Sequence, residues 1–192
     1  MTAVDERGMT RFFEEFEPPE GVRVELLRGD IVMTASPDLV HNMIVEDVLE
    51  QIPRKQWVRL QTQDVDIIDE ASEPVPDLVV LGRDATPESG RLLPSEAITL
   101  VVEVVSKTSA VRDYLVKRSI YAAGKIPAYL IIDPIMAHCV LLTLPVGEGE
   151  AADYTAQMKL DFGHRVPLDM LGVGLDTGEF GTFPGVRPHR FP

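Results

Sequence analysis

Residues 98–134 read ITLVVEVVSKTSAVRDYLVKRSIYAAGKIPAYLIIDP, and they set one carboxylate, Glu103, among Ile98, Leu100, Val101, Val102, Val104 and Val105. A near-continuous, valine-rich apolar run without alternation is the pattern of a strand covered on both faces, in the middle of a sheet flanked by helices. Glu103 is therefore expected to be buried. A lone carboxylate in low dielectric is costly even after relaxation, so it needs a cation, a proton or hydrogen bonds to hold it there. The stretch continues as a helix from about Ser109 to Ala123, with Gly124 as its C′ residue, and then a strand Tyr129–Asp133. That order is a right-handed βαβ crossover by default, which makes the Glu103 and Ile131 strands parallel.

Upstream, Val22–Leu27 and Asp30–Thr34 read as two strands joined by Arg28-Gly29-Asp30, the glycine sitting where a tight hairpin needs positive φ. Ser36-Pro37 then suits a helix start, and Leu39, Met43, Ile44, Val45, Val48 and Ile52 recur at helical spacing until Pro53. Val58–Gln61 and Val65–Ile68 read as more exposed strands, and Pro76-Asp77 leads into the apolar strand LVVL. Gly82–Glu96 is a polar loop. His138–Leu144 and Tyr154–Leu160 form an antiparallel addition, and the tail from Gly172 is rich in Gly and Pro, with little regular structure expected. Ahead of all this, Thr10–Glu17 fits a short helix with Phe12, Phe13 and Phe16 as its apolar stripe.

The 192 residues are expected to form a single domain, residues 1–192, with a core over about 20–145 and a β-rich extension over about 150–192. Cys139 is the only cysteine, which excludes an internal disulfide framework and fits a reducing cytoplasm. Met1–Pro18 has no apolar segment of the signal-peptide kind, and no stretch is long and apolar enough to span a membrane. The net charge of −13 argues against a broad, non-specific grip on nucleic acid, which is driven by Lys and Arg releasing counterions from phosphate. A polyanion would have to approach a locally basic patch or a metal.

Asp77 and Glu103 each sit in or at the edge of an apolar strand, with an intervening loop long enough to bring the two strands side by side. Two carboxylates converging in this way suit a hard divalent cation such as Mg²⁺ or Mn²⁺. Lys117 lies on the helical stripe Ala110, Asp113, Lys117, Tyr121, Gly124, and reaches those carboxylates if the stripe faces the sheet. Plainer readings stand beside these. Asp77 is also a natural strand entry or Asx-turn, and Asp113 with Lys117 is also a surface i,i+4 pair stabilising the helix by roughly 0.2–0.5 kcal/mol. Glu25 alternates with Val24 and Leu26 as a solvent-facing strand residue does. His41 reads as a helix-surface histidine, Cys139 as core, and Asp64, Asp66, Asp69 and Glu70 as a solvated acidic face.

The blocks VELLRGDIV, SPDLVH, PDLVVL, LVVEVVS and RDYLVKRSIYAAGKIPAYLIIDP, in this order over roughly Val22–Leu144, resemble the Uma-type (Uma-two) family of restriction-endonuclease-like proteins, a branch of the PD-(D/E)XK nuclease superfamily. The resemblance implies an α/β fold, a restriction-endonuclease-like core with a mixed central sheet flanked by helices. It implies a metal-dependent endonuclease acting on phosphodiester bonds of DNA, or RNA, with Mg²⁺ as cofactor and Mn²⁺ as a substitute. By resemblance, Asp77, Glu103 and the backbone carbonyl of Val104 hold the metal, and Glu25 of the family's ELIDG-like hairpin is a further ligand candidate. The superfamily's lysine two residues after the Glu is absent here, since that position is Val105. In the Uma-type branch a lysine of the next helix takes its place, and Lys117 matches it; Lys107, where the family commonly has Pro, is the alternative ammonium. A nucleic-acid partner and a homodimer, which would let paired sites cut both strands, are expected with this activity. A non-catalytic nucleic-acid-binding or interaction protein on the same scaffold is the alternative, since fold does not fix activity.

Overall fold

A computed structural model describes Phe13, Phe16 and residues 20–191 of the chain, so the expected helix at Thr10–Glu17 falls largely outside the described residues. The first element is the expected hairpin, β1 (Val22–Leu27) and β2 (Asp30–Ala35), with Leu27 opposite Asp30 across a two-residue loop. Helix α1 (Leu39–Gln51) follows, capped by Asp38, whose carboxylate accepts from the Val40 and His41 amides. Next come β3 (Trp57–Gln61), the short β4 (Val65–Asp66), β5 (Leu78–Gly82), the short β6 (Leu93–Pro94) and β7 (Ile98–Val104). Beyond β7 the chain winds a π-helical turn over Arg112–Lys117 before α2 (Arg118–Ala123), and then runs through β8 (Ala128–Asp133), β9 (His138–Val146) and β10 (Asp153–Asp161). The hairpin β11 (Val166–Leu168) and β12 (Val173–Leu175) comes last.

Six of these strands form one mixed sheet in the order β10-β9-β8-β7-β5-β3. Within it only β7 and β8 run parallel, with Glu103 opposite Ile131, as the strand–helix–strand order requires. Both faces of the sheet are covered, which is why β7 carries no polar alternation. On one face Leu100, Val102 and Val104 pack with Ile44 and Val48 of α1 and with Ile52 just after it; on the other, Val101 and Val105 pack with Ile120, Tyr121 and Ile126. Full burial of each such side chain contributes about 1.5–3 kcal/mol, which holds in place a strand that also buries a glutamate.

Three local expectations change. The buried face of α1 is His41, Ile44, Val45 and Val48, whereas Leu39 and Met43 are 72% and 56% exposed. The expected strand Val65–Ile68 shortens to β4, followed by a 3₁₀ turn at Ile68–Glu70. The tail, expected to hold little regular structure, contributes β12 and buries Phe180 and Phe183, the latter donating its amide to the Pro134 carbonyl at 3.0 Å. Among the described residues no helix is long and apolar enough to cross a membrane.

Candidate functional site

β5 and β7 pair antiparallel with Leu78 opposite Val102 and Val79 opposite Val101. Continuing that register by one residue sets Asp77 opposite Glu103, so two carboxylates meet at the end of adjacent strands in mid-sheet. Both are buried, at 4% and 3% exposure. Each therefore needs compensation from neighbours, and each has it.

Asp77 is held by three donors. Its Oδ1 accepts from Arg23 Nη1 at 2.7 Å, and its Oδ2 accepts from His41 Nε2 at 2.9 Å and from the Val104 amide at 2.9 Å. Burial alone raises the pKa of this carboxyl, but the hydrogen bond and charge of His41, with those of Arg23, more than offset it and hold the group well below the usual carboxylate range. An ionised carboxylate only accepts, so the His41 nitrogen facing it carries the proton. His41 reaches the site because it lies on the buried face of α1, one turn before Ile44 and Val45 and two before Val48. The helical spacing of His41 with those three residues is the signal that marks it in the sequence, and taking Leu39 and Met43 into the stripe hides it.

Glu103 is held by the π turn and helix that follow its strand. Lys117 Nζ and the Tyr121 hydroxyl both donate to its Oε1 at 2.7 Å. Lys117 also contacts Glu25 Oε1 at 2.7 Å, and that same oxygen accepts from the Val75 amide at 2.8 Å. One ammonium thus serves two carboxylates inside the protein. Burial opposes its charge, yet Glu103, Glu25 and then Asp113 together keep Lys117 protonated far above its ordinary range. Glu103 is pushed upward by burial, against the pull of Lys117. Among the described residues Glu103 Oε2 has no hydrogen-bond donor.

Glu25 is 2% exposed, not the solvent-facing residue that alternation suggests. Residues two apart on a strand share a face, and Arg23 and Glu25 both turn toward the carboxylates; the sequence signal was that shared face. Asp113, which also reads as half of a surface pair, is 2% exposed and accepts a short hydrogen bond from the Ser109 hydroxyl. Burial raises its pKa to about 6. The helical stripe does face the sheet: Asp113, Lys117 and Tyr121 are all buried on it. The other lysine is turned elsewhere. Lys107 Nζ pairs with Asp38 at 2.8 Å and sits 5.1 Å from the centre of the Phe183 ring.

Arg23, Glu25, His41, Asp77, Glu103, Val104 and Lys117 line one cavity of ≈ 50 Å³ that opens to solvent, together with Ser109, Arg112 and Asp113. Its donor set is oxygen-rich and anionic, which suits a hard cation in kind. The arrangement differs from a preformed cage: among the described residues no three His, Cys, Asp or Glu side chains come together to hold a metal. Arg23 and Lys117 supply the positive charge instead, and His41 contributes a hydrogen bond to Asp77.

The match to known families covers most of the chain. The Uma2 family, described as "putative restriction endonuclease", matches residues 11–178. Among solved structures, a "putative nuclease belonging to DUF820" from Anabaena variabilis superposes with a TM-score of 0.68 at 14% identity, covering 90% of this chain and 96% of that one. That likeness shows the fold, a six-stranded mixed sheet of the restriction-endonuclease-like kind with modest helical cover. No curated protein matches the chain. A family match over this span, on a sheet that sets Asp77 beside Glu103, leads to one conclusion: the chain belongs to the Uma2 family.

Proposed function

We propose that this protein is a metal-dependent nuclease that hydrolyses phosphodiester bonds, with DNA as its substrate and RNA as the second candidate. The observation that carries this reading is the register of β5 on β7, which puts Asp77 beside Glu103 with Lys117 2.7 Å from the latter. Asp77, Glu103 and the Val104 carbonyl would hold Mg²⁺, or Mn²⁺ in its place, with Glu25 as a further ligand. The ion, when bound, lowers the pKa of a coordinated water and stabilises charge on the phosphoryl group. Lys117 counters charge developing on the phosphoryl oxygens from a fixed position, so no reorganisation is needed at the moment of reaction. Tyr121 orients Glu103 by donating to the same oxygen as Lys117. Among the described residues Asp77 Oδ1 accepts from Arg23 alone and so keeps a lone pair for an ion, whereas Oδ2 already accepts from both His41 and the Val104 amide.

Purified protein incubated with supercoiled plasmid and Mg²⁺ or Mn²⁺ is expected to nick it, and Glu103→Gln to abolish the nicking. Nicking that survives Glu103→Gln would overturn the assignment. In parallel, calorimetric titration with Mn²⁺ is expected to show binding that Asp77→Asn removes. The occupancy of both Asp77 oxygens by Arg23 and His41 favours a second reading, a non-catalytic nucleic-acid-binding protein on the same scaffold. Absence of Mn²⁺ binding, with nucleic-acid binding retained, would select it.

A further inference from the structure

Arg112 begins the π-helical turn Arg112–Lys117 and lines the same cavity as Asp77, Glu103 and Lys117. Its Nε is buried and, among the described residues, has no hydrogen-bond partner. Among the described residues its guanidinium forms no ion pair either, in a chain with 31 acidic residues against 18 basic ones. Other arginines of the fold are spoken for: Arg23 by Asp77, Arg59 by the carbonyls of Leu49 and Ile52, Arg118 by Asp153. Asp113, next in sequence, feels the charge of Arg112, but its Oδ2 is taken by the Ser109 hydroxyl. A guanidinium whose buried donor is left unpaired beside four carboxylates is set up for an anion that arrives from outside. Its planar fork matches two oxygens of one phosphoryl group, a geometry that an ammonium lacks. The position supports this, because π-helical turns recur at functional sites and this one places Arg112 and Lys117 on the same cavity.

We propose that Arg112 is a substrate-binding residue that grips the non-bridging oxygens of the phosphodiester entering the Asp77–Glu103 cavity. The proposal rests on the nuclease reading above and gives it a residue to which the family resemblance assigns no role. Lys117 is committed to Glu103 and Glu25 and Arg23 to Asp77, whereas among the described residues the Arg112 guanidinium is committed to no carboxylate.

The test measures binding rather than turnover. A fluorescein-labelled oligonucleotide, single-stranded and double-stranded in separate titrations, is followed by anisotropy with Ca²⁺ in place of Mg²⁺, and again in EDTA, over a series of NaCl concentrations. Arg112→Ala is expected to weaken binding about tenfold and to reduce the slope of log K against log salt by about 1, since one phosphate contact is lost. Arg112→Lys is expected to restore the slope while leaving the affinity below wild type, because it keeps the charge and loses the fork. Arg112→Gln, which keeps a polar stem in the same niche, gives the reading if Arg112→Ala fails to fold. Wild-type binding that all three variants reproduce in Kd and slope would overturn the role of Arg112 and leave the nuclease reading standing. If wild-type protein binds neither oligonucleotide in either buffer, the nuclease reading falls and Arg112 with it.

Discussion

Lys117→Ala would leave Glu103 and Glu25 buried, with the ammonium that both contact at 2.7 Å removed. Removing one partner of a buried pair typically destabilises by about 3–5 kcal/mol, because the remaining charge has no solvent to return to. Glu103→Gln is expected to be milder, since Lys117 keeps Glu25 and the Gln amide oxygen still accepts from Tyr121. Urea unfolding of the two variants should rank them in that order; the reverse order would mean that Glu103, not Glu25, is the principal partner of Lys117. Asp113 supplies the pH dependence. Its folded pKa of about 6 lies above its ordinary value of 3.8, so the folded state holds a proton there that the unfolded chain has released. Stability from this group is therefore full below its unfolded pKa and lost as pH rises through the folded one. Asp113→Asn, whose amide oxygen can still accept from Ser109, is expected to flatten the fall in unfolding free energy between pH 4 and about 6, and to exceed wild type at pH 7 by on the order of a few kcal/mol. Asp77 acts in the opposite sense. Its depressed pKa contributes stability that is present above its unfolded value and lost in stronger acid.

At the scale of the elements, the β1–β2 hairpin carries Arg23 and Glu25 to the site, and its turn decides how firmly it does so. Arg28 and Gly29 both have positive φ, at 51° and 81°, the pairing that a two-residue type I′ turn demands. The need for glycine at position 29 was legible in the sequence, because turn chemistry is local. Arg28 in the same region was not; its guanidinium is held by Glu70, Ser119 and the Gly149 carbonyl, residues far along the chain. Gly29→Ala is expected to destabilise by about 1–2 kcal/mol in thermal or urea unfolding. Space is not the cause, since a Cβ there would meet nothing within 4 Å. Gly124 shows the converse. Expected as the C′ residue of the helix, it is the C-cap with φ −68°, and Lys125 after it takes the left-handed conformation at φ 57°. Gly124 is needed for close approach instead, as a Cβ would lie 3.1 Å from Ile67 side-chain atoms. The π-helical turn was likewise illegible. Arg112–Lys117 has ordinary helical periodicity, and nothing local in it distinguishes a π turn from an α turn.

At the scale of the whole molecule, an excess of negative charge surrounds a sheet whose middle strands end in carboxylates, and the cations at that end come from two elements: Arg23 from β1, and Arg112 and Lys117 from the two ends of the π turn. That local concentration of charge, not the net charge of −13, is what an incoming phosphate would meet. Local patterns already place Glu103 in a strand covered on both faces, make that strand parallel to the one after the helix, and put Lys117 on one helical face with Tyr121. Each of these follows from periodicity or connection rules acting over a few residues to a few tens. Which partners neutralise the carboxylates emerges only once the chain is folded. Arg23 and His41 reach Asp77 across 54 and 36 residues, and Glu25 meets Lys117 across β1 and the π turn. Those contacts depend on which face α1 buries, where helical spacing offers two overlapping stripes, and on the register of β5 against β7, which is settled by packing between elements that no local pattern encodes.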